Sequence, residues 1–442
     1  MSFYDRFLDA GRVPLFDGAI GTMLQRHEEF ASVRLGEELN LVRPDLVRRV
    51  HQQYLEAGAD LATTNTFSAN RVRLSEVGLE NGLEELNRRG VKLAREGTEG
   101  KALVAGSIGP LGKLMGPFGP IKIDEAVEAF AEQAQILEEA GADLIIIETM
   151  SWPVEIKAAV IAVKESTDLP VIASMTYTDR GRTISGTDPA TAANILGNLG
   201  VDVIGANCSV GPAELLEVAE AYRKSTNLPT LVEANAGQPR LDWKAGGAAT
   251  AYEVGIDEFA TNCRELLKVG VDMIGACCGS TPEYIKRLKE VTEEFKPIRR
   301  DSRYTPAVSS RTRTLPLSGE SSETLRTAVV PLGKGEDIRS IPGKARDACK
   351  GENGASIVVL DLKDLDAVES EKLSELEDAL TKAQASCSHP LGFRVSTTAV
   401  LKSCLRACEG IPLVIADGAG KDEHKEIENL VGKYGGVLQE DL

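Results

Sequence analysis

Three cysteines are the side chains best placed, by type and neighbourhood, to do chemistry. Cys277 and Cys278 are adjacent, follow the apolar run Met273-Ile274-Gly275-Ala276, and precede Gly279-Ser280-Thr281-Pro282, which reads as the start of a helix. Neighbours on a strand point to opposite faces, so both thiols can meet one ligand only where the strand is already bending into its loop. A single cysteine packs as a small apolar core residue; a pair at the mouth of a buried run points to a metal site or a reactive thiol. Cys208 closes a similar run, Val203-Ile204-Gly205-Ala206-Asn207, about 70 residues earlier.

The elements that must position them are strongly periodic. Eight apolar runs occur, at 13–19, 60–67, 102–110, 142–149, 169–177, 201–209, 229–237 and 271–279, each followed by a turn and an amphipathic helical stretch. Near-continuous apolar runs separated by helices are parallel strands buried on both faces. Eight of them predict an α/β fold, a (β/α)8 TIM barrel over residues 1–295. The second, fourth, sixth and eighth runs are introduced by Gly58-Ala59-Asp60, Gly141-Ala142-Asp143, Gly200-Val201-Asp202 and Gly270-Val271-Asp272. Glycine there can take the left-handed conformation that ends a helix, and aspartate can cap the turn into the strand. An open doubly wound sheet is the competing reading.

Active sites of such barrels form at the C-terminal ends of the strands. The run ends are Asp17-Gly18-Ala19, Asn65-Thr66-Phe67, Ser107-Ile108-Gly109-Pro110, Glu148-Thr149, Thr176-Tyr177, Asn207-Cys208, Glu233-Ala234-Asn235-Ala236-Gly237 and Cys277-Cys278-Gly279. Cys208, Cys277 and Cys278 thus converge on one rim. Three thiolates without a fourth protein ligand form the pattern of a zinc site with one open position, and thiolates suit zinc better than magnesium or calcium. No run contains a lysine, which disfavours a Schiff-base aldolase, and none of the four histidines sits at a run end. Asp17 and Glu148 need a purpose there, because buried acids are costly without a partner. Either Asp17 caps its own glycine-rich turn, or both acids clasp a substrate ammonium while backbone N–H groups after Asp17 meet a carboxylate.

The remaining chain is less informative. Residues 296–326 are rich in Pro, Ser, Thr and Arg and read as a linker, a solvated tether whose Arg299, Arg300, Arg303, Arg311 and Arg313 could otherwise lie against the barrel. Residues 327–442 return to α/β character, with strands expected at 327–332, 355–362, 393–400 and 412–416 and helices at 368–385 and 422–434; this small domain shows no role. Cys387-Ser388-His389-Pro390-Leu391-Gly392 has the outline of the Asp-x-His-x-x-Gly corrinoid-binding loop, with Cys in place of Asp and a helical stretch where that loop needs a strand. A net charge of −17 argues against a nucleic-acid partner. No apolar run reaches the ~20 residues of a membrane span, and the N-terminus does not read as a signal peptide. Eight unevenly placed cysteines do not form a disulfide framework, so the expectation is a cytoplasmic protein with reduced thiols.

Taken together, DGAIGTMLQ (17–25), TNTFSANR (64–71), GSIGP (106–110), ETMSWPVEIKAA (148–159), ISGTDP (184–189), GANCSVGP (205–212), EANAGQP (233–239) and GACCGSTPEYI (275–285) resemble the zinc-dependent homocysteine S-methyltransferase family. The likeness covers residues 10–295. ELNLVRPDLVRRVHQQYLEAGAD (38–60) is closer to the homocysteine-binding module of cobalamin-dependent methionine synthases than to betaine–homocysteine methyltransferases. The resemblance implies Zn2+ on Cys208, Cys277 and Cys278, with the homocysteine amino group on Asp17 and Glu148. It also implies a carboxylate contact at Gly18 and Ala19, and Asn235 at or beside the metal's fourth position. It stops near residue 300, which leaves the methyl donor open. The first expectation is methylcobalamin or another methylcorrinoid carried by a separate corrinoid protein. Betaine or S-methylmethionine as direct donor, or a non-catalytic zinc-bearing binding subunit, are the alternatives.

Overall fold

The computed structural model describes residues 3–244, 247–298, 300, 306–317, 325–350, 355–365, 370–395, 397–416 and 420–440, with backbone alone over 241–250. Seven parallel strands form one sheet: β1 (Leu61–Thr63), β2 (Leu103–Ile108), β3 (Leu144–Met150), β4 (Val171–Met175), β5 (Val203–Asn207), β6 (Thr230–Ala234) and β9 (Met273–Ala276). Between the last two, β7 (Arg240–Lys244) and β8 (Gly247–Ala251) make an antiparallel hairpin. The ring closes through the first apolar run, where Leu15 bridges Ile274 and Phe16 bridges Leu61, both in parallel. That run is a pair of bridges and not a full strand. Pro14 brings no N–H to a ladder, and the chain turns away at Gly18.

The Gly-x-Asp repeat has a more specific use than capping its own turn. All four glycines have positive φ, from 66° at Gly200 to 103° at Gly58. Each aspartate reaches across to the strand before it in the ring. Leu15 N donates to Asp60 Oδ2 (3.1 Å), Val104 N to Asp143 Oδ2 (2.7 Å), Val171 N to Asp202 Oδ2 (2.8 Å) and Thr230 N to Asp272 Oδ2 (2.9 Å). The backbone N–H of each aspartate returns the bond, to Leu15, Val104, Val171 and Thr230 carbonyls. Four reciprocal clasps therefore lace the N-terminal end of the barrel. Phe3, Tyr4 and Phe7 plug that end against Phe16, Ile146, Ile172 and Met273.

Part of the expected tether is packed. β10 (Ala307–Ser309) pairs antiparallel with β11 (Thr314–Pro316). Asn194, on the barrel helix Pro189–Asn198, donates to the Ala307 carbonyl (3.2 Å), and Ser309 N donates to Ile411 O (2.8 Å). Arg300 pairs with Asp272 and donates to Gly270 O (2.9 Å), so it lies on the barrel; Arg299 and Arg303 fall outside the described residues. Short apolar pieces between the serines and threonines are enough to anchor the segment.

A second, all-parallel sheet follows in chain order: β12 (Thr327–Pro331), β13 (Ile357–Asp361), β14 (Leu391–Arg394), β15 (Leu413–Ile415) and β16 (Val437–Gln439). Two expectations change here. The strand expected over 393–400 stops at Arg394, because Thr397 caps the helix Thr398–Ala407 by accepting from Val400 N (3.3 Å). The fifth strand is only three residues long and follows Gly435-Gly436, which hides it in the sequence. The helix Ser370–Ser386 runs into Cys387, so the corrinoid-loop outline lacks its strand. Cys387 instead forms a disulfide with Cys349, at a Cα separation of 5.9 Å, which corrects the expectation of eight reduced thiols.

The barrel helix Pro153–Ser166 is buried at every position from Pro153 to Val163, because the sheet covers one side and the second unit the other. Lys157 is consequently fully buried, its Nζ donating to the carbonyls of Cys408 (3.0 Å) and Gly410 (3.4 Å), and burial lowers its pKa to about 8. Lys157→Met orphans both acceptors and should cost about 1–3 kcal/mol. Thermal unfolding should show a lower midpoint; an unchanged midpoint would mean that Lys157 does not hold the two units together.

Candidate active site

Strand β9 ends at Ala276, so Cys277 and Cys278 lie in the turn that follows. Cys277 N donates to Ala234 O (2.7 Å), and Ser280 returns both N and Oγ to the Cys277 carbonyl (3.2 and 2.7 Å). Gly279 (φ 84°) packs under the Tyr252 ring, where a Cβ would come within 2.3 Å. That turn lets two consecutive thiols face one point. Cys208 follows β5 in the left-handed region (φ 62°), as does Ser209 (φ 67°), conformations that non-glycine residues rarely hold. The three Sγ atoms lie within 4.8 Å of one another, with Cys208 and Cys278 at 3.8 Å. A tetrahedral ion with metal–sulfur bonds of ~2.3 Å has sulfur–sulfur edges of about 3.8 Å. The residues fit a thiolate-bound metal. Among the three thiols, hydrogen bonds from Cys208 and Cys277, with help from Tyr252, pull Cys278 down to about 3. Asn235 lies between the bonds that tie Ala234 to Cys277 and Ala236 to Cys278, and its buried Oδ1 has no hydrogen-bond partner among the described residues.

The acids stand on the same rim. Asp17 Oδ2 accepts from Thr63 N (2.9 Å), so its carboxylate serves β1 and not its own turn. Gly18 fits against Tyr54 and Ser280, where a Cβ would come within 2.8 Å, and Ala19 N donates to Ser280 Oγ (3.1 Å). The Ala19 N–H expected to meet a substrate carboxylate is therefore engaged within the chain. Glu148 accepts from Ser107 Oγ (2.6 Å) and Asn207 Nδ2 (3.3 Å). Burial pushes Asp17 up to about 8 and Glu148 up to about 7.

Sequence reasoning assigned no role to several residues of this rim. Glu233, on β6, is pushed well up by burial and then by the charges of Glu148 and Asp17. Glu37 accepts from Ser68 N (2.6 Å) at the outer edge. Tyr252 reaches the thiols from the far end of the β7–β8 hairpin. Only Glu233, named in a run end, carried a signal. Together these groups line a cavity of about 510 Å³ that contains Asp17, Gly18, Ala19, Glu148 and all three cysteines. Among the described residues, no Lys, Arg or His side chain lines it.

A family model described as homocysteine S-methyltransferase matches residues 14–292. Methionine synthase of Mycobacterium tuberculosis is 29% identical over 427 residues, which take in 90% of this chain and 35% of that protein. Methionine synthase of Mycobacterium leprae is 32% identical over 335 residues, 71% of this chain and 27% of that protein. The chain thus spans about a third or less of the length of these curated relatives. The metallated form of the homocysteine methyltransferase MmuM of Escherichia coli shares the fold, with a TM-score of 0.54 at 24% identity over 64% of this chain and 98% of that one.

Asp17 and Glu148 hold protons more tightly in the folded chain than in the unfolded one. Their stabilising effect is complete below the ordinary carboxylate range of ~4 and is lost as pH rises through about 7 for Glu148 and about 8 for Asp17. Ligand-free protein should therefore lose thermal stability between pH 5 and pH 8. Asp17→Asn should flatten that slope; equal slopes in variant and parent would place the titration elsewhere.

Proposed function

The chain belongs to the homocysteine S-methyltransferase family, and on that premise we propose that it transfers a methyl group to the sulfur of homocysteine, giving methionine. The observation that carries this reading is the meeting of three thiols from the ends of β5 and β9 with buried acids in one cavity. We assign the thiols of Cys208, Cys277 and Cys278 to a zinc ion. When bound, that ion would favour deprotonation of the incoming thiol and hold its sulfur in place.

The remaining work falls to the chain. Asp17 and Glu148 receive the substrate ammonium, whose charge favours their ionised forms and offsets their burial. Ser107, Thr63 and Asn207 hold those carboxylates in position. Gly18 and Ala19 form the wall on the carboxylate side. Tyr252 covers the thiols. Asn235, whose buried Oδ1 has no partner among the described residues, would be the residue to border the ion when it is bound. A methyl transfer of this kind needs no protein base in line, which agrees with a cavity lacking histidine among the described residues.

For the donor we favour a methylcorrinoid such as methylcobalamin, carried by a separate corrinoid protein that approaches the open mouth. The likeness of residues 38–60 to the cobalamin-dependent module supports this choice, and the methionine synthase relatives support methionine as the product. Betaine or S-methylmethionine is the second choice. Intact Asp17, Glu148 and all three cysteines argue against a zinc-bearing binding subunit without catalysis, and turnover with any donor would exclude it. We place the protein in the cytoplasm on the free thiols of Cys208, Cys277 and Cys278, with the Cys349–Cys387 disulfide standing as the exception to a reduced chain. No helix among the described residues is long and apolar enough to cross a membrane.

Zinc-loaded protein given homocysteine should form methionine with methylcobalamin and not with betaine or S-methylmethionine. Cys208→Ala should lose stoichiometric zinc and reduce turnover by more than about 100-fold, since even residues behind a metal ligand are worth 10–100-fold. A variant that kept both zinc and turnover would end this reading. Methionine from betaine alone would reassign the donor.

A further inference from the structure

Glu233 is the acid of the cavity that has no side-chain hydrogen-bond partner among the described residues. It sits on β6 between Asn207 of β5 and Gly275 of β9. A Cβ on Gly275 would meet Phe16 Cβ at 2.6 Å, Glu233 Cγ at 3.1 Å and Glu233 Oε1 at 3.2 Å. The missing side chain thus lets Glu233 lie across β9 toward the run that ends in Asp17. The residue is 6% exposed, and that exposure is to the cavity it lines. Asp17 and Glu148 already accept hydrogen bonds from Thr63, Ser107 and Asn207. No donor to the Glu233 carboxylate is found among the described residues. Burying such a group is expensive unless a ligand completes it.

The chemistry of that ligand follows from what surrounds the carboxylate. Asp17 and Glu148 are close enough to Glu233 to interact with it electrostatically, and no lysine, arginine or histidine lines the cavity among the described residues. An alkylammonium group is a compact cation with three N–H donors. Two carboxylates can engage two of them. We propose that Glu233 accepts the third, so that Asp17, Glu148 and Glu233 form a tripod selecting an acceptor thiol with a protonated amino group. This rests on the reading in which Asp17 and Glu148 receive the substrate ammonium. In that arrangement the amino group, and not the thiol alone, decides which small thiols enter.

The test compares L-homocysteine with 4-mercaptobutanoate, the same chain without the amino group, by calorimetric titration of zinc-loaded protein. The wild-type protein should prefer homocysteine by tens of fold. Glu233→Gln keeps the side chain's size and removes its charge. It should weaken homocysteine by about 10-fold, the worth of one charge-assisted hydrogen bond, and leave 4-mercaptobutanoate within about twofold. Zinc content should be unchanged, and the midpoint of thermal unfolding without ligand should not fall, because a buried acid without a partner has been removed. Unchanged homocysteine affinity, parallel weakening of both ligands, or a lower midpoint would each overturn the role given to Glu233. Wild-type protein that bound the two thiols equally would overturn the ammonium site itself, a result separable from failure of Glu233 alone.

Discussion

The constraint on which the rest of the molecule depends is desolvation of anionic groups at the barrel mouth. Three thiols and the carboxylates of Asp17, Glu148 and Glu233 share one rim, and among the described residues the chain supplies no cation to the cavity. Left alone, the three carboxyl groups hold their protons well above the ordinary carboxylate range, because burial disfavours their charge. In the proposed reading a cation at the sulfurs and an ammonium at the carboxylates would favour the ionised forms and offset the cost of burying them.

A scaffold must be stiff elsewhere to tolerate that. The opposite end of the barrel carries the four aspartate clasps and an aromatic plug, so stabilising bonds and destabilising charge are segregated to the two ends of the same strands. Backbone strain follows the same division. Cys208, Ser209 and Thr149 hold positive φ at the mouth. Two of them are tied down: Cys208 N donates to Glu233 O (3.0 Å), and Thr149 N to Asn207 Oδ1 (2.8 Å). The distortion that aims the thiol is thus sustained by the neighbouring strand.

Much of this was legible in the sequence because a barrel turns strand ends into a list of rim residues. Cys208, Cys277, Cys278, Asp17 and Glu148 could be grouped by that rule alone. Glu233 opens the end of its run but could not be assigned a role, since whether it points inward depends on register, which a two-sided apolar run does not reveal. Tyr252 reaches the thiols from a hairpin, and Cys349 finds Cys387 across 38 residues; both are tertiary meetings without local pattern. The first strand was overread because apolar character says nothing about how long a ladder persists. Residues 306–317 were underread because composition marks them as loop while two three-residue strands suffice to dock them.

The aspartate clasps also have a kinetic meaning. They join residues 45, 39, 31 and 42 positions apart, so each can form within its own stretch of chain before the ring exists. The bridge of Phe16 with Leu61 belongs to the first of these pairs, and the bridge of Leu15 with Ile274 joins the two ends of the series. Short-range contacts form early because little chain entropy is lost in making them. The order of assembly is thereby written into the repeat: four strand pairs first, then a circle joined at its weakest strand. Since Asp17 directly follows that joint, the rim on which it stands is completed only when the two ends of the series meet.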